Sequence, residues 1–276
     1  MRTTSSSYDS DRETVCRVIN GVDGWLTLRE ALALYFFAKK GLEKGDIVEI
    51  GSWKGRSTIC MALALKMSHP DSRRVYAIDT FEGSPEQSGA HTGLLKSFVN
   101  NLRKYRVEDV VTPCVSTSSA AIQDPRVRRL RIGLLFIDGR HEYEYVKQDL
   151  INYSPLVVDG GFVALHDACR WNVLTPSLGF QWEGAARVAQ QYIFPSERFK
   201  VIGFFESLLV AESICRPLTS LERMNKSSMF AVFLLKAAIA RWITWLLNRV
   251  NSRARQQLIR YTSLCSHAVS QTLGTQ

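Results

Sequence analysis

The sequence lacks several features that mark common classes of protein. Its six cysteines stand singly, without a Cys-x-x-Cys pair, so we expect neither a zinc site nor a disulfide framework. The opening residues, MRTTSSSYDSDRET, contain acids and no apolar run, so they do not resemble a signal peptide. These absences favour a protein of the reducing cytoplasm, and we expect residues 1–23 to form a flexible lead-in.

The larger part of the chain also lacks an excess of charge of either sign. The net charge is +9, but residues 216–276 hold nine Lys and Arg side chains against a single acid, Glu222. The first 215 residues contain 26 basic and 25 acidic side chains. A surface for nucleic acid would need a basic strip on this neutral part, so nucleic acid is not an expected partner. The basicity belongs to a separate tail.

Residues 24–215 alternate between short apolar runs and segments with helical periodicity. The segment TLREALALYFFAKKGL (27–42) begins with a Thr-x-x-Glu capping box, which predicts an amphipathic helix. Alternating strands and helices predict an α/β fold, with a mostly parallel sheet covered by helices on both faces. The predicted strands are 46–50, 74–80, 109–115, 132–138, 160–167 and two that meet near Glu206 within 199–213.

Acids lie at the ends of four of these predicted strands. Ligands of parallel α/β sheets bind at the carboxyl ends of the strands. We therefore expect the four side chains to line one crevice. They are Glu49, Asp79, Asp138 and Asp167.

The first predicted strand leads into the turn VEIGSWKGRST (48–58). The turn lacks the Gly-x-Gly-x-x-Gly spacing of pyrophosphate-binding loops, because Ser52 follows Gly51 and the next close glycine is Gly55. The wider Glu-x-Gly-x-x-x-Gly pattern suits a ligand that has positive charge and no phosphate, such as S-adenosylmethionine. Asp79 could then accept both ribose hydroxyls. An ordinary strand-to-helix turn is the alternative.

Four segments, in this order, resemble the class I methyltransferases of the methyltransferase 24 group, which is related to macrocin-type sugar O-methyltransferases and cephalosporin-hydroxylase-like proteins. They are VEIGSWKGRST, AIDTFEGSPE, LLFIDGRHEYEYVKQDL and GGFVALHDA. The resemblance covers residues 24 to 214. It implies a Rossmann-like, seven-stranded methyltransferase sheet with an antiparallel final strand. It also implies transfer of a methyl group from S-adenosylmethionine to a hydroxyl of a sugar, a glycan or another small molecule.

The same resemblance implies which residues contact the cofactor. The segment around Ser116 would approach the adenine, and if Asp79 binds the ribose, Phe81 could stack near that base. The full set is Glu49, Gly51, Ser52, Gly55, Ser57, Asp79, Thr80, Phe81, Ser116 and Asp138.

An alcohol is a poor nucleophile, so methyl transfer to a hydroxyl needs a base or a Lewis acid. We expect Asp138 and Asp167 to bind a divalent metal, with His166 as a third ligand if a turn begins there. His141 would be the general base. The resemblance implies magnesium and a basic histidine at matching positions, whereas a nitrogen ligand favours manganese, iron or zinc.

Each of these assignments has a plainer alternative. Asp138 could cap the next helix, or bind only the ammonium group of the methionine part of the cofactor. His141 could face solvent, and His166 could be a structural histidine. Two polar or aromatic segments, 84–93 and 169–184, are predicted to cover the crevice and select the acceptor.

The tail contains MFAVFLLKAAIARWITWLL (229–247), which is about as long as the shortest membrane-spanning helix. Lys236 and Arg241 interrupt it, so a spanning helix is disfavoured. The segment could instead pack on the domain or on a second subunit, which would make a homo-oligomer. A third alternative is a peripheral contact of 229–260 with the inner face of a membrane.

Two other classes of function fit parts of the sequence. A non-catalytic scaffold could retain the cofactor pocket, although the presence of Asp138, His141 and Asp167 argues against loss of the chemistry. An NAD-dependent oxidoreductase would keep the sheet but is disfavoured by the missing glycine spacing.

Overall fold

The computed structural model describes residues 4–68, 73–83, 93–169 and 183–249, with side chains from residue 9 in the first range and through 235 in the last. Its strands are β1 (Asp46–Ile50), β2 (Val75–Asp79), β3 (Val111–Val115), β4 (Ile132–Ile137), β5 (Val157–Leu165), β6 (Phe199–Phe205) and β7 (Leu208–Ser213). They form one sheet in the order β3-β2-β1-β4-β5-β7-β6. Strand β7 is antiparallel to both of its neighbours, and the other pairs are parallel. The predicted seven-stranded, mostly parallel sheet is confirmed.

Helices follow the strands along the chain. They are α1 (Thr4–Gly21), α2 (Leu28–Leu42), α3 (Arg56–Ser68), α4 (Leu94–Lys104), α5 (Ser118–Ala121), α6 (Pro125–Arg128), α7 (Tyr143–Tyr153), α8 (Glu183–Val188) and α9 (Ser220–Arg249). Thr27 and Glu30 form the predicted capping box at the start of α2. Among the helices of the described residues, none combines the length and apolarity needed to cross a membrane.

Apolar side chains cover both faces of the sheet. All six residues of β4 are buried, and successive side chains point to opposite faces. Leu134 and Phe136 pack in the cluster that includes α1 to α4, while Leu135 and Ile137 pack with α7 and α8. A strand buried on both faces has a continuous apolar sequence, which explains why β4 could be predicted so clearly.

The first 23 residues are not the flexible lead-in that we expected. Helix α1 occupies most of them, and its Val15 and Val18 are fully buried in the core. The carboxylate of Asp11 accepts hydrogen bonds from Lys39 Nζ at 2.8 and 3.0 Å. The expectation was wrong because a few apolar residues at helical spacing suffice to bury one face of a helix that is otherwise polar.

The last two strands form a hairpin, as predicted. Glu206 lies at its turn and has a positive φ of 57°. The tail then begins with α9, whose first residues are capped by Thr219: Glu222 N donates to Thr219 Oγ1 and Thr219 N donates to Glu222 Oε2. The domain bounds of 24–215 and 216–276 stay a prediction.

Candidate functional site

The turn between β1 and α3 is held by Asp79 at the end of β2. Asp79 Oδ2 accepts hydrogen bonds from the backbone amides of Ser52 and Trp53, both at 2.8 Å. Its Oδ1 accepts from the amide of Phe81 at 2.7 Å. The carboxylate therefore orders two turns at once, and its oxygens lie beside the loop that we predicted to hold the cofactor.

Gly51 brings this turn into contact with the end of β4. Its φ is +89°, and a Cβ atom at this position would lie 2.2 Å from the carbonyl oxygen of Asp138. Only glycine fits both the dihedral angle and the space. We call the turn of residues 51–55 the cofactor turn, after its predicted role. It packs directly against the backbone of Asp138.

Glu49 is not on the rim of the crevice, where we expected it. Its carboxylate is fully buried under the turn and accepts hydrogen bonds from the hydroxyls of Ser52 (2.7 Å), Ser57 (2.5 Å) and Thr58. Burial raises the pKa of Glu49 to about 7, although the three hydroxyl donors act in the opposite direction. The side chain supports the turn from below, because alternation along β1 places Glu49 on the same face of the sheet as Ile47, which packs with α3.

Phe81 also differs from expectation. Its ring is buried in the core against Phe98, with ring centroids 4.9 Å apart. The ring therefore does not face the crevice, and stacking on an adenine is not supported. A contact through its backbone stays a prediction.

The remaining predicted cofactor residues lie around the same strand ends. The amide of Ser116 donates to the carbonyl of Asp79 at 3.0 Å, which places the segment after β3 beside β2. Thr80 Oγ1 accepts a long hydrogen bond of 3.4 Å from the Glu82 amide. Gly55 has a φ of +87° and packs against Phe98 just before α3. Their contact with a cofactor stays a prediction.

The structure brings Asp138, His166 and Asp167 together at the ends of β4 and β5. His166 Nδ1 lies 2.9 Å from Asp138 Oδ1 and 3.3 Å from Asp167 Oδ2. Strand β5 ends at Leu165, and Asp167 adopts a positive φ of 53°. The turn that we required for neighbouring residues to face one point is therefore present.

His141 completes a group that could hold a metal ion. Ligand atoms of Asp138, His141 and Asp167 all lie within 4.8 Å of one another, and the three side chains are partly exposed. His141 Nδ1 is 3.6 Å from Asp167 Oδ2. Helix α8 packs closely against the loop between β4 and α7, since a Cβ on Gly184 would lie 2.0 Å from the carbonyl oxygen of His141.

Burial and charge act against each other in this cluster. Burial alone would lower the pKa of His166, but the carboxylates of Asp138, Asp167 and Glu30 raise it well above the ordinary value. Burial alone would raise the pKa of Asp167, but its contacts with His166 and His141 lower it. His166 is buried beneath the two acids, so its role as a third ligand stays a prediction, while His141 is a more exposed nitrogen donor.

Glu30 is a member of this cluster that the sequence did not reveal. It is buried, and its Oε2 lies 3.5 Å from His166 Nε2. Its Oε1 accepts hydrogen bonds from the amide and hydroxyl of Ser207, at 3.0 and 2.6 Å. Burial would raise the pKa of Glu30, but His166, Ser207 and the Thr27 amide hold it at about 2. The only signal in the sequence was the capping box, which has a local explanation.

Trp25 lies beside the cofactor turn, and most of its ring is exposed to solvent. Its ring centroid is 4.6 Å from that of Trp53 in the turn. Arg56 anchors the chain on either side of Trp25 by donating to the carbonyls of Val22 (2.7 Å) and Leu26 (3.1 Å). The segment thus runs from the cofactor turn towards Glu30. The expected covering segments, 84–93 and 169–184, lie almost entirely outside the described residues.

Residues 48–168 match the model of a family described as "Methyltransferase domain", in the methyltransferase 24 group. The matched segment begins in β1 and ends just after Asp167. It therefore contains the cofactor turn and the Asp138, His141 and Asp167 group.

The curated proteins that are similar to part of this chain include the following two. The 8-demethyl-8-(2,3-dimethoxy-α-L-rhamnosyl)-tetracenomycin-C 4′-O-methyltransferase of Streptomyces olivaceus is 30% identical over 145 residues, which cover 46% of this chain and 55% of that protein. The uncharacterised protein R132 of Acanthamoeba polyphaga mimivirus is 26% identical over 132 residues, which cover 45% and 53%. The chain thus spans about half the length of the curated relatives it matches.

Several solved structures share the fold. The O-methyltransferase NovP has a TM-score of 0.55 at 16% identity and covers 76% of this chain and 99% of its own. An O-methyltransferase from Bacillus cereus in complex with SAH has a TM-score of 0.53 at 16% identity, with coverage of 75% and 91%. The calicheamicin methyltransferase CalS11 has a TM-score of 0.51 at 15% identity, with coverage of 77% and 93%.

Proposed function

We propose that this chain, whose residues 48–168 match the methyltransferase domain family, is an S-adenosylmethionine-dependent O-methyltransferase. Its acceptor would be a hydroxyl group of a sugar or another small molecule. The observation that carries the proposal is the convergence of the cofactor turn and the Asp138, His141 and Asp167 group at the same ends of neighbouring strands.

The cofactor turn and the carboxylates around it suit a cationic ligand that has no phosphate. The turn packs against Asp138, and Asp79 stands beside it, so carboxylates surround the place where a sulfonium and an ammonium group would bind. Asp79 would bind the ribose, as acids at this position do in related α/β folds. S-adenosylmethionine supplies an electrophilic methyl group on sulfur.

We assign the proton transfer to His141. Its Nδ1 faces Asp167 at 3.6 Å, so this carboxylate would favour the positive charge that forms on the ring as it accepts a proton. As the acceptor oxygen forms its bond to the methyl carbon, the carbon–sulfur bond breaks and its electron pair stays on sulfur. The hydroxyl proton moves to His141, so the products are the methyl ether and S-adenosylhomocysteine.

A divalent metal fits the donor atoms of this site. Asp138 and Asp167 offer carboxylate oxygens and His141 an imidazole nitrogen, a set that manganese or zinc accepts more readily than magnesium. Such an ion supplies Lewis acidity that lowers the pKa of a hydroxyl. If His141 is the base, the ion would be held mainly by the two aspartates.

A sugar acceptor has support from one relative. The Streptomyces olivaceus protein is named for methylation of a rhamnosyl group, and its match to this chain includes no more than about half of either protein. The exposed ring of Trp25 at the edge of the site could stack on the apolar face of such a ring.

Calorimetry with S-adenosylhomocysteine and with NAD tests the class of enzyme. We expect S-adenosylhomocysteine to bind and NAD to give no heat. Binding of NAD alone would favour the oxidoreductase alternative, and binding of neither would contradict an intact cofactor site.

Transfer of labelled methyl groups from S-adenosylmethionine to methyl α-L-rhamnopyranoside, TDP-rhamnose and catechol then tests the catalytic assignment. His141→Ala should lower the rate at least 100-fold, because a positioned base contributes about 10²–10⁴. The exposed Glu144→Ala in the next helix is the matched control. Full activity of His141→Ala after treatment with a chelator would contradict both the base and the metal. A scaffold would bind S-adenosylhomocysteine and methylate none of the three acceptors.

A further inference from the structure

Helix α9 is docked on the domain along one face. Its Lys226 is buried and donates hydrogen bonds to the carbonyl oxygens of Ser196 and Phe199. Phe230 and Phe233 lie on the same side and pack against Phe194, with ring centroids 4.8 and 5.4 Å apart. This face needs no further partner.

On the opposite side of α9, exposed apolar side chains form a row that no described residue covers and that the polar Asn225 and Ser228 interrupt. At 100° per residue, four of its exposed residues fall within an arc of about 80°, roughly opposite Lys226, Phe230 and Phe233. We call these residues the outer stripe. They are Leu221 (61% exposed), Met224 (60%), Val232 (50%) and Leu235 (60%).

The sequence continues this pattern along the helix. Seven-residue steps from Val232 and Leu235 lead in the sequence to Ile239, Trp242 and Leu246 and then to Arg249, where the described helical backbone ends. A soluble helix usually has one apolar face, so a second one needs a partner.

The charges of α9 divide into two groups. In its first part, Arg216 pairs with Glu222 at 2.6 Å and Arg223 pairs with Glu197 at 2.9 Å, so these cations are neutralised within the domain. From residue 236 onward the sequence contains six Lys and Arg residues, and after Glu222 it has no acid. They are Lys236, Arg241, Arg249, Arg253, Arg255 and Arg260.

These charges decide between the candidate partners of the outer stripe. A second copy of α9 would bring two sets of six cations together, and like charges across an interface oppose association. A nucleic acid would attract the cations but would leave the leucine, methionine and valine side chains in water. An anionic lipid surface satisfies both features, because it buries an apolar face and attracts flanking cations.

We propose that α9 lies on an anionic membrane surface, with the outer stripe in the interface, and that the six cations in the sequence from residue 236 onward add electrostatic attraction. The contact is peripheral. The face of α9 that is turned away from the domain binds the bilayer, and the opposite face of the helix holds the domain. The inference does not depend on the proposed methyl transfer.

Sedimentation of the full chain with large unilamellar vesicles tests this proposal. We expect binding to vesicles of phosphatidylcholine with 30% phosphatidylglycerol that is at least 10-fold tighter than binding to phosphatidylcholine alone. Met224→Glu with Leu235→Glu should weaken binding at least 10-fold, because both changes put a charge in the outer stripe. Ser227→Glu is the matched control, since it adds an acid at an exposed position of α9 outside the stripe.

A second variant guards against a folding defect. Arg249→Gln with Arg253→Gln leaves the docked part of α9 untouched and should weaken binding to the anionic vesicles and reduce its dependence on salt. Failure of the wild-type chain to sediment with anionic vesicles would overturn the proposal. So would a wild-type dimer in light scattering that Met224→Glu with Leu235→Glu converts to monomer, because the stripe would then be covered by a second copy.

Discussion

The buried carboxylate of Glu30 lies 3.5 Å from Nε2 of His166, on the side of the ring opposite the two aspartates. Neither ring nitrogen of His166 makes a well-aligned hydrogen bond in this structure. Proximity and charge rather than ideal hydrogen-bond geometry therefore hold the ring. Through this contact, helix α2 reaches the ends of β4 and β5, where the proposed chemistry takes place.

We predict that Glu30→Gln lowers the rate of methyl transfer by about 10- to 100-fold, the usual effect of losing a residue that orients a site from its second layer. The amide keeps an acceptor for Ser207 but removes the charge that faces His166. Binding of S-adenosylhomocysteine should be unchanged, because Glu30 does not contact the cofactor turn. Steady-state rates and calorimetry on the same preparation would separate the two effects.

Thr27→Ala is the control for this prediction. It removes the hydroxyl that accepts from the Glu30 amide and donates to Glu30 Oε2, but it keeps the Thr27 amide bond and the Glu30 charge, so it should cost about 1 kcal/mol of unfolding free energy and lower the rate far less than Glu30→Gln. If Glu30→Gln methylated as fast as the wild type, the residue would be no more than part of the cap.

The two contacts of Glu30, with the helix cap and with His166, differ in whether the sequence could predict them. The Thr-x-x-Glu pattern is local, and the capping box was predicted correctly. The contact with His166 depends on the sheet placing β5 and the β6–β7 turn next to α2, which no short stretch of sequence contains. The strand-end positions of Asp138 and Asp167 were predictable because they follow local apolar runs. The inward direction of Glu49 and of the Phe81 ring was not, because it depends on how the helices pack on the sheet.

Helix α1 was not predicted from the sequence. Its composition is polar, and the few apolar residues that it buries stand too far apart to attract notice in the sequence. The central strands β1 and β4 were predictable because both of their faces are buried, so nearly every residue is apolar.

Gly51→Ala should disrupt both halves of the site. A Cβ at this position would collide with the backbone of Asp138, and the positive φ adds strain for any other residue. We expect a loss of about 2–4 kcal/mol of unfolding free energy, together with loss of binding to S-adenosylhomocysteine. Gly93→Ala, at a positive φ with open space around it, is the control for backbone strain alone. Chemical denaturation would measure the difference, and equal effects of the two changes would contradict the role of the close approach to Asp138.

Asp149 supplies a prediction about pH that is independent of the metal. This carboxyl group in α7 is buried and accepts a hydrogen bond from the Ser118 hydroxyl. Burial raises its pKa from 3.8 to about 6, although the Ser118 hydroxyl acts in the opposite direction. The folded state therefore favours the neutral acid, and ionisation opposes folding.

The sign of the effect follows from this shift. Below about pH 4 the group is protonated in both states, and the penalty is absent. As the pH rises from about 4 to 6 the unfolded chain ionises first, so stability falls, by about 3 kcal/mol in total above pH 6. Asp149→Asn keeps an acceptor for Ser118 and cannot ionise. It should therefore be about 1–3 kcal/mol more stable than the wild type at pH 8 and nearly equal to it at pH 4.

Urea denaturation at pH 4, 6 and 8 would measure this difference. Glu144→Gln removes an exposed acid from the same helix and should show no comparable dependence on pH. A less stable Asp149→Asn protein at pH 8 would mean that the ionised carboxylate stabilises the fold. The hydrogen bond from the Ser118 hydroxyl to the ionised Asp149 carboxylate would then stabilise the folded state. In either case Tyr153, whose hydroxyl donates to the Ser118 carbonyl at 2.7 Å, would keep the segment after β3 attached to α7.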